Sequence, residues 1–295
     1  MTSEWRMGCG FPALARLPGT LPWKLALRMG REPAAERRAT EDFLVTRFGQ
    51  VFPQAPQEQR RQWAAAHMDI VALEMMDAVA LDRLGTSGGP ALDLTGWEHV
   101  QPLLDAGRGF IIVLNHFDRL MASLAALARR GVRMNAMTMP VLDHPDLSAV
   151  QRRFLTRKMD LLAHVMGGRC HSATDNLREV HESLCAGQNW VILADVWRPG
   201  LGKLRAHPFL GGSISLPTGI ERLARAARVP LIHAAAHTQG AERLSVVVDP
   251  LPEEPRAAMD AVVQRLHHDV QQRPWAWWQW GLLDLMWSPS VEEAA

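Results

Sequence analysis

Two short apolar runs in this 295-residue chain end in polar clusters whose residue types can do chemistry. The first, Gly109-Phe-Ile-Ile-Val-Leu-Asn115, runs into His116-Phe-Asp118. The second, Trp190-Val-Ile-Leu-Ala194, runs into Asp195-Val-Trp-Arg198. Apolar runs of this length, rich in β-branched residues, predict buried strands. In open α/β sheets, ligands bind beyond the carboxyl ends of the strands. A histidine at such an exit suits general-base work, because its unperturbed pKa lies close to neutral pH. Asp118, two residues on, has two readings. It orients the imidazole, as the acid of a catalytic triad does, or it caps the helix that starts at Arg119. Asn115, Asp195 and Arg198 are expected to shape the polar mouth beside His116.

Other candidates are weaker. His233 and His237 stand four apart in an extended segment, where four residues span ~13 Å, too far for one metal ion. Cys170 and His171 are neighbours in an expected strand, so their side chains diverge. His267-His268-Asp269 reads as a solvated helix face. Gly211-Gly212-Ser213 lacks the spacing of a nucleophile elbow, although this loop is a candidate source of backbone donors near the site. Gly167-Gly168-Arg169 lacks the Lys-Ser/Thr of a phosphate loop. Arg152, Arg153, Arg157 and Lys158 form a basic stripe on one expected helix, suited to an acidic acyl carrier protein or simply to water.

The elements that would position these groups alternate. Residues 1–37 read as irregular, broken by Pro12, Pro18, Pro22 and Pro33. An amphipathic helical stretch follows over 38–84, divided by Pro53 and Pro56, with Ile70, Leu73, Met76 and Val79 on one stripe. The segment 85–90 is a linker, so the chain divides into an irregular and helical N-terminal segment over 1–90 and an α/β unit over 91–295, the two expected to form one compact unit together. Within the latter, helices are expected over 119–130, 147–165, 174–186, 219–228 and 256–272. Further strands are expected over 134–139, 169–171, 230–235 and 244–248. This alternation predicts an α/β fold: a central, mostly parallel or mixed sheet flanked by helices, with an N-terminal helical subdomain.

Composition narrows the functional classes. With 47% hydrophobic and 21% charged residues the chain is globular rather than disordered. A net charge of +1 supplies no field for nucleic acid. Three cysteines without CxxC spacing exclude a disulfide scaffold and point to a reducing compartment. No stretch approaches the ~20 apolar residues of a membrane span. The expected location is cytoplasmic, with peripheral contact at the inner membrane left open by five tryptophans between Trp275 and Trp287. The alternative for these rings, packing on the core or lining a pocket, is preferred because no basic cluster accompanies them.

The blocks around His116 resemble the lipid A biosynthesis (lauroyl/myristoyl) acyltransferases of the lysophospholipid acyltransferase superfamily. The resemblance includes the lead-in from Trp97-Glu-His-Val to Gly107-Arg-Gly109 and the run Gly109–Phe117. It continues through Leu193-Ala-Asp195, Pro208-Phe-Leu-Gly211, Pro217-Thr-Gly219, Leu223-Ala, and Arg273-Pro274 with its tryptophans. It covers residues 38–287. It implies transfer of an acyl group from a carrier-protein or CoA thioester to a hydroxyl or amine on a lipid, sugar or small molecule, with His116 as base and no cofactor or metal. The chain is a divergent member by this comparison. The family's acid, five positions after the histidine, is Met121; its arginine before a proline is Met139, before Pro140; and the glutamine after Asp195 is Val196. The expected site therefore comprises His116 and Asp118 as catalytic residues. Asn115, Met121, Met139, Asp195, Arg198, Gly211 and Gly212 are expected to line the substrate. The methionines keep two other readings open: a non-catalytic homologue that binds an acyl chain or carrier protein, and a thioester hydrolase.

Overall fold

The computed structural model describes residues 3–290 apart from 141, 143, 175, 197–199 and 201. Helices dominate the first eighty of them: α1 (Ser3–Trp5), α2 (Phe11–Leu14), α3 (Leu21–Gly30), α4 (Ala35–Val51) and α5 (Gln57–Ala80). The expectation of irregular structure over 1–37 is overturned here. Pro12 and Pro22 occupy the first turns of α2 and α3, where the missing N–H has no intrahelical partner to lose and the fixed φ is already helical. These prolines start helices rather than break them. Pro53 and Pro56 do separate α4 from α5, as expected.

The remaining chain alternates. In order it forms β1 (Ala91–Thr95), α6 (Gln101–Asp105), β2 (Ile111–Leu114), α7 (Leu120–Arg129), β3 (Met134–Thr138), α8 (Ala149–Met166), β4 (Cys170–Ser172) and α9 (Arg178–Cys185). It continues with β5 (Asn189–Leu193), β6 (Leu204–Phe209), β7 (Gly212–Pro217), α10 (Gly219–Ala227), β8 (Leu231–Thr238), β9 (Arg243–Pro250), α11 (Pro255–Gln272), α12 (Leu283–Met286) and β10 (Trp287–Pro289). Seven strands make one sheet in the order β1-β9-β8-β2-β5-β3-β4. Every neighbouring pair is parallel except β8–β9. This is the mostly parallel α/β sheet flanked by helices that the alternation predicted.

β2 lies fourth of seven and is buried on both faces, as parallel central strands are. Its side chains alternate. Ile112 and Leu114 join the larger core beneath α3, α5, α7 and α8, while Ile111 and Val113 join a second core under α9, α10 and α11. A third cluster gathers Phe48 of α4, the β6–β7 hairpin and the C-terminal rings Trp277 and Trp280. That hairpin turns on Leu210 and Gly211, at φ 49° and 71°. Positive φ at both central residues gives the tight turn whose twist suits antiparallel strands.

A buried ion pair ties the N-terminal helices to the start of α7. Arg119 donates to Asp77 of α5 through Nε at 2.7 Å and through its second terminal nitrogen at 2.6 Å, and neither side chain is exposed. Trp23 of α3 donates its indole N–H to the same carboxylate at 2.7 Å. Deleting one partner of such a pair typically costs about 3–5 kcal/mol, because the other charge is left buried and unpaired. The loop that carries His116 thus ends on a rigid anchor.

Candidate active site

The site follows from sheet register. β2 and β5 are adjacent and parallel, with Ile111 opposite Trp190 and Leu114 opposite Leu193. The same offset of 79 residues, continued two positions past both strands, brings His116 beside Asp195. The Asp195 carboxylate is fully buried, while the imidazole keeps about a quarter of its surface open. His116 Nδ1 lies 3.0 Å from Asp195 Oδ1. The backbone N–H of His116 donates to Oδ1 and Oδ2 at 2.9 and 3.1 Å, and the Trp277 indole donates to Oδ2 at 2.9 Å. Among the described residues nothing hydrogen-bonds His116 Nε2.

Asp118 does not orient the imidazole. Its φ of 51° puts it in the left-handed region that aspartate tolerates, and no described hydrogen bond joins its carboxylate to His116. It accepts the backbone N–H of Arg119 and of Thr238, each at 2.9 Å, and the Thr238 hydroxyl. Arg273 pairs with it at 2.9 Å. Nor does it cap the helix: α7 starts at Leu120 with Arg119 at its N-cap and has no side-chain cap bond, and the Asp118 carboxylate instead fastens β8 and the C-terminal segment to this loop.

That segment is the part of the site which sequence reasoning missed. Trp277 bridges antiparallel to Phe117. Asp118 N donates to Ala276 O at 2.7 Å, Trp278 N to His116 O at 2.9 Å, and the Trp278 indole to Asp118 O at 2.8 Å. These bonds deliver Gln279, whose Nε2 stands 2.8 Å from His116 Nδ1 and 2.9 Å from Asp195 O. The tryptophan cluster was visible in the sequence, but not the strand exit it would lace against. Trp277 and Trp280 are interior residues, with indole bonds to Asp195 and Pro274 O.

The other expected site residues fall elsewhere or are tied up. Asn115 is buried and its amide meets His233 Nε2 at 3.2 Å; His233 Nδ1 in turn faces Asp249 at 3.4 Å. That histidine bond, ahead of the cost of burial, holds the Asp249 carboxyl below its usual range. His237 packs edge-on to Phe117, and burial holds its imidazole below the ordinary histidine value. Met121 is buried in the larger core, and Met139 sits half-buried just past β3. Arg198 lies outside the described residues. No described contact brings the Gly211-Gly212 loop to His116. Gly211 O accepts from Ser290 N at 3.1 Å, and a Cβ on Gly212 would come within 2.2 Å of Ser288 O. These glycines let the C-terminal strand close on the hairpin.

Of the basic stripe, Arg152, Arg153 and Arg157 line an open groove of about 650 Å³ along α8. Lys158 departs from it and reaches inward to Glu74 at 3.1 Å. Among the described residues, no three histidine, cysteine, aspartate or glutamate side chains are placed to hold a metal ion, and no helix is long and apolar enough to cross a membrane.

A histidine held by a buried carboxylate at a strand exit, with no described residue hydrogen-bonded to its second nitrogen, can take a proton from an incoming nucleophile. A search of curated proteins found no match to the chain. The family model described as bacterial lipid A biosynthesis acyltransferase matches residues 6–282, nearly the whole length. The chain belongs to the lipid A biosynthesis acyltransferase family.

Proposed function

We propose that this chain moves an acyl group from a carrier-protein or CoA thioester to a hydroxyl or amine, with His116 as general base and Asp195, in place of Asp118, as its acid. The observation that carries this reading is the 3.0 Å contact between His116 Nδ1 and Asp195 Oδ1. With the proton on Nδ1, the lone pair of Nε2 accepts the acceptor's proton as its oxygen or nitrogen attacks the thioester carbonyl. Collapse of the tetrahedral adduct breaks the C–S bond, and the imidazolium returns its proton to the departing thiolate. Asp195 favours the imidazolium throughout. Proton transfer of this kind contributes ~10²–10⁴-fold to rate.

A carrier-protein donor is favoured over CoA by α8. This helix follows β3, whose carboxyl end lies on the same side of the sheet as His116, because β2, β5 and β3 are parallel. Its exposed Arg152, Arg153 and Arg157 offer an acidic carrier a complementary field at that side.

Incubation with acyl-carrier and acyl-CoA thioesters and an acceptor panel, reading thiol release and acylated product separately, tests the reading. Acceptor-dependent product is expected, and His116→Ala lowers it ~10²–10⁴-fold. Thiol release without acceptor identifies a hydrolase. Binding without turnover identifies a non-catalytic homologue, and unchanged turnover in the alanine variant removes His116 from the chemistry.

A further inference from the structure

His116 Nδ1 is contacted by two groups that want opposite things of it. Asp195 Oδ1, at 3.0 Å, can only accept and needs a proton on Nδ1. Gln279 Nε2, at 2.8 Å, can only donate and needs a lone pair there. Turning the amide over does not relieve the conflict. The same nitrogen donates to the main-chain carbonyl of Asp195 at 2.9 Å, and a flipped amide would set its oxygen against that carbonyl oxygen. The orientation of Gln279 is therefore fixed by a partner other than the imidazole. One of its two N–H bonds is anchored, and the other points at Nδ1. The backbone leading to it is fixed as well, by the Phe117–Trp277 bridge and the Trp278 N to His116 O bond.

We propose that Gln279 is a positioning residue that competes with Asp195 for His116 Nδ1 and so sets the tautomer of the imidazole. With the proton on Nδ1, Asp195 is satisfied, one Gln279 N–H is opposed, and Nε2 is free to act as base. With the proton on Nε2, Gln279 is satisfied, Asp195 faces a lone pair, and the ring presents a donor outward. The first form is the one that removes a proton from an acceptor. Gln279 holds part of the enzyme in the second, and any ligand that draws its amide away from Nδ1 releases the base. The kinetic side of this inference rests on the reading of His116 as the base; the tautomer itself does not.

Long-range ¹H–¹⁵N NMR of the full chain, labelled at histidine, reads the tautomer directly without turnover. Gln279→Met removes the amide at similar length. It should raise the Nδ1–H to Nε2–H ratio of His116 about five-fold, the size expected for loss of one neutral hydrogen bond. Turnover should rise with it. Asp195→Asn should move the ratio the other way. Gln279→Glu, which cannot donate at Nδ1, keeps the test open if the methionine variant folds poorly, and it too should favour Nδ1–H. His116 nitrogen shifts that are the same in wild type and both Gln279 variants would overturn the proposal. A shifted tautomer without any acyl transfer in the panel above would leave it standing and sink the acyltransferase reading instead.

Discussion

Replacing Asp195 with asparagine separates the geometry of the His–Asp pair from its charge. In the native site Oδ1 meets His116 N and Nδ1, and Oδ2 meets the Trp277 indole. An amide must set its NH₂ against one of these sides. Against Trp277 it leaves a buried indole N–H without an acceptor, a cost of about 1–3 kcal/mol, which a domain with 5–15 kcal/mol of stability survives. Against His116 it donates to Nδ1 and forces the proton onto Nε2, which abolishes the base. Either way the carboxylate that favours the imidazolium is gone. The expected loss in turnover is ~10²–10⁴-fold, about 2.7–5.4 kcal/mol of transition-state stabilisation at 1.36 kcal/mol per decade. The assay is thiol release from an acyl thioester in the presence of acceptor, with thermal unfolding as the check on folding. Asp118→Asn is the paired control. It removes the charge that Arg273 leans on and the acceptor of Thr238 N, so it should lower stability more and turnover less. An Asp195→Asn enzyme that turns over like wild type, beside an Asp118→Asn enzyme that folds but does not, would return the acid to Asp118 and refute the reasoning.

Two further outcomes follow from charges away from the pair. His67 of α5 sits 2.8 Å from Trp275 O through Nδ1, and burial holds its pKa below the ordinary 6.5. The unfolded chain therefore binds that proton first, so stability is full above about pH 6.5 and declines as pH falls, by up to ~1.4 kcal/mol per unit. His67→Asn should flatten this slope in unfolding experiments between pH 7 and 5, and an unaltered slope would assign the acid sensitivity to other groups. On α8, Arg153→Glu with Arg157→Glu should raise KM about ten-fold for an acyl-carrier donor at low salt and little at high salt. An equal effect on a small thioester donor would place these arginines outside the docking surface.

Much of the fold was legible because the signals were long or closely spaced. Ile111–Leu114 of β2 and Trp190–Leu193 of β5 are apolar at every position, as a strand buried on both faces requires. β1 was missed: its five residues follow a glycine-rich turn, and its alternating Leu92 and Leu94 are too few to stand out. The β6–β7 hairpin was missed because its turn places Leu210, rather than asparagine or glycine, at positive φ. At the site, sequence proximity misled. Asp118 lies two residues from His116, and in extended chain their side chains would share a face. A single left-handed residue at 118 breaks that alternation.

The acid partner was nevertheless within reach of the sequence. Phe110 to His116 and Asn189 to Asp195 are each seven residues long, and each reaches its polar group two positions after its last paired leucine. Had the two runs been laid side by side as parallel neighbours, His116 and Asp195 would have faced each other across one ~4.8 Å strand spacing. What the sequence withholds is adjacency, since nothing local says that β5 and β8, rather than β3, flank β2. This also makes sense of Met121. On α7, five positions after the histidine, the side chain is packed among Leu124, Ala125 and the other apolar residues of the larger core. A carboxylate there would sit among these apolar side chains, whereas Asp195 meets a backbone N–H and an indole N–H at the strand exit. The register of two parallel strands sets an acid against an imidazole across neighbouring strand ends. The His116–Asp195 contact is thus held without any residue of α7.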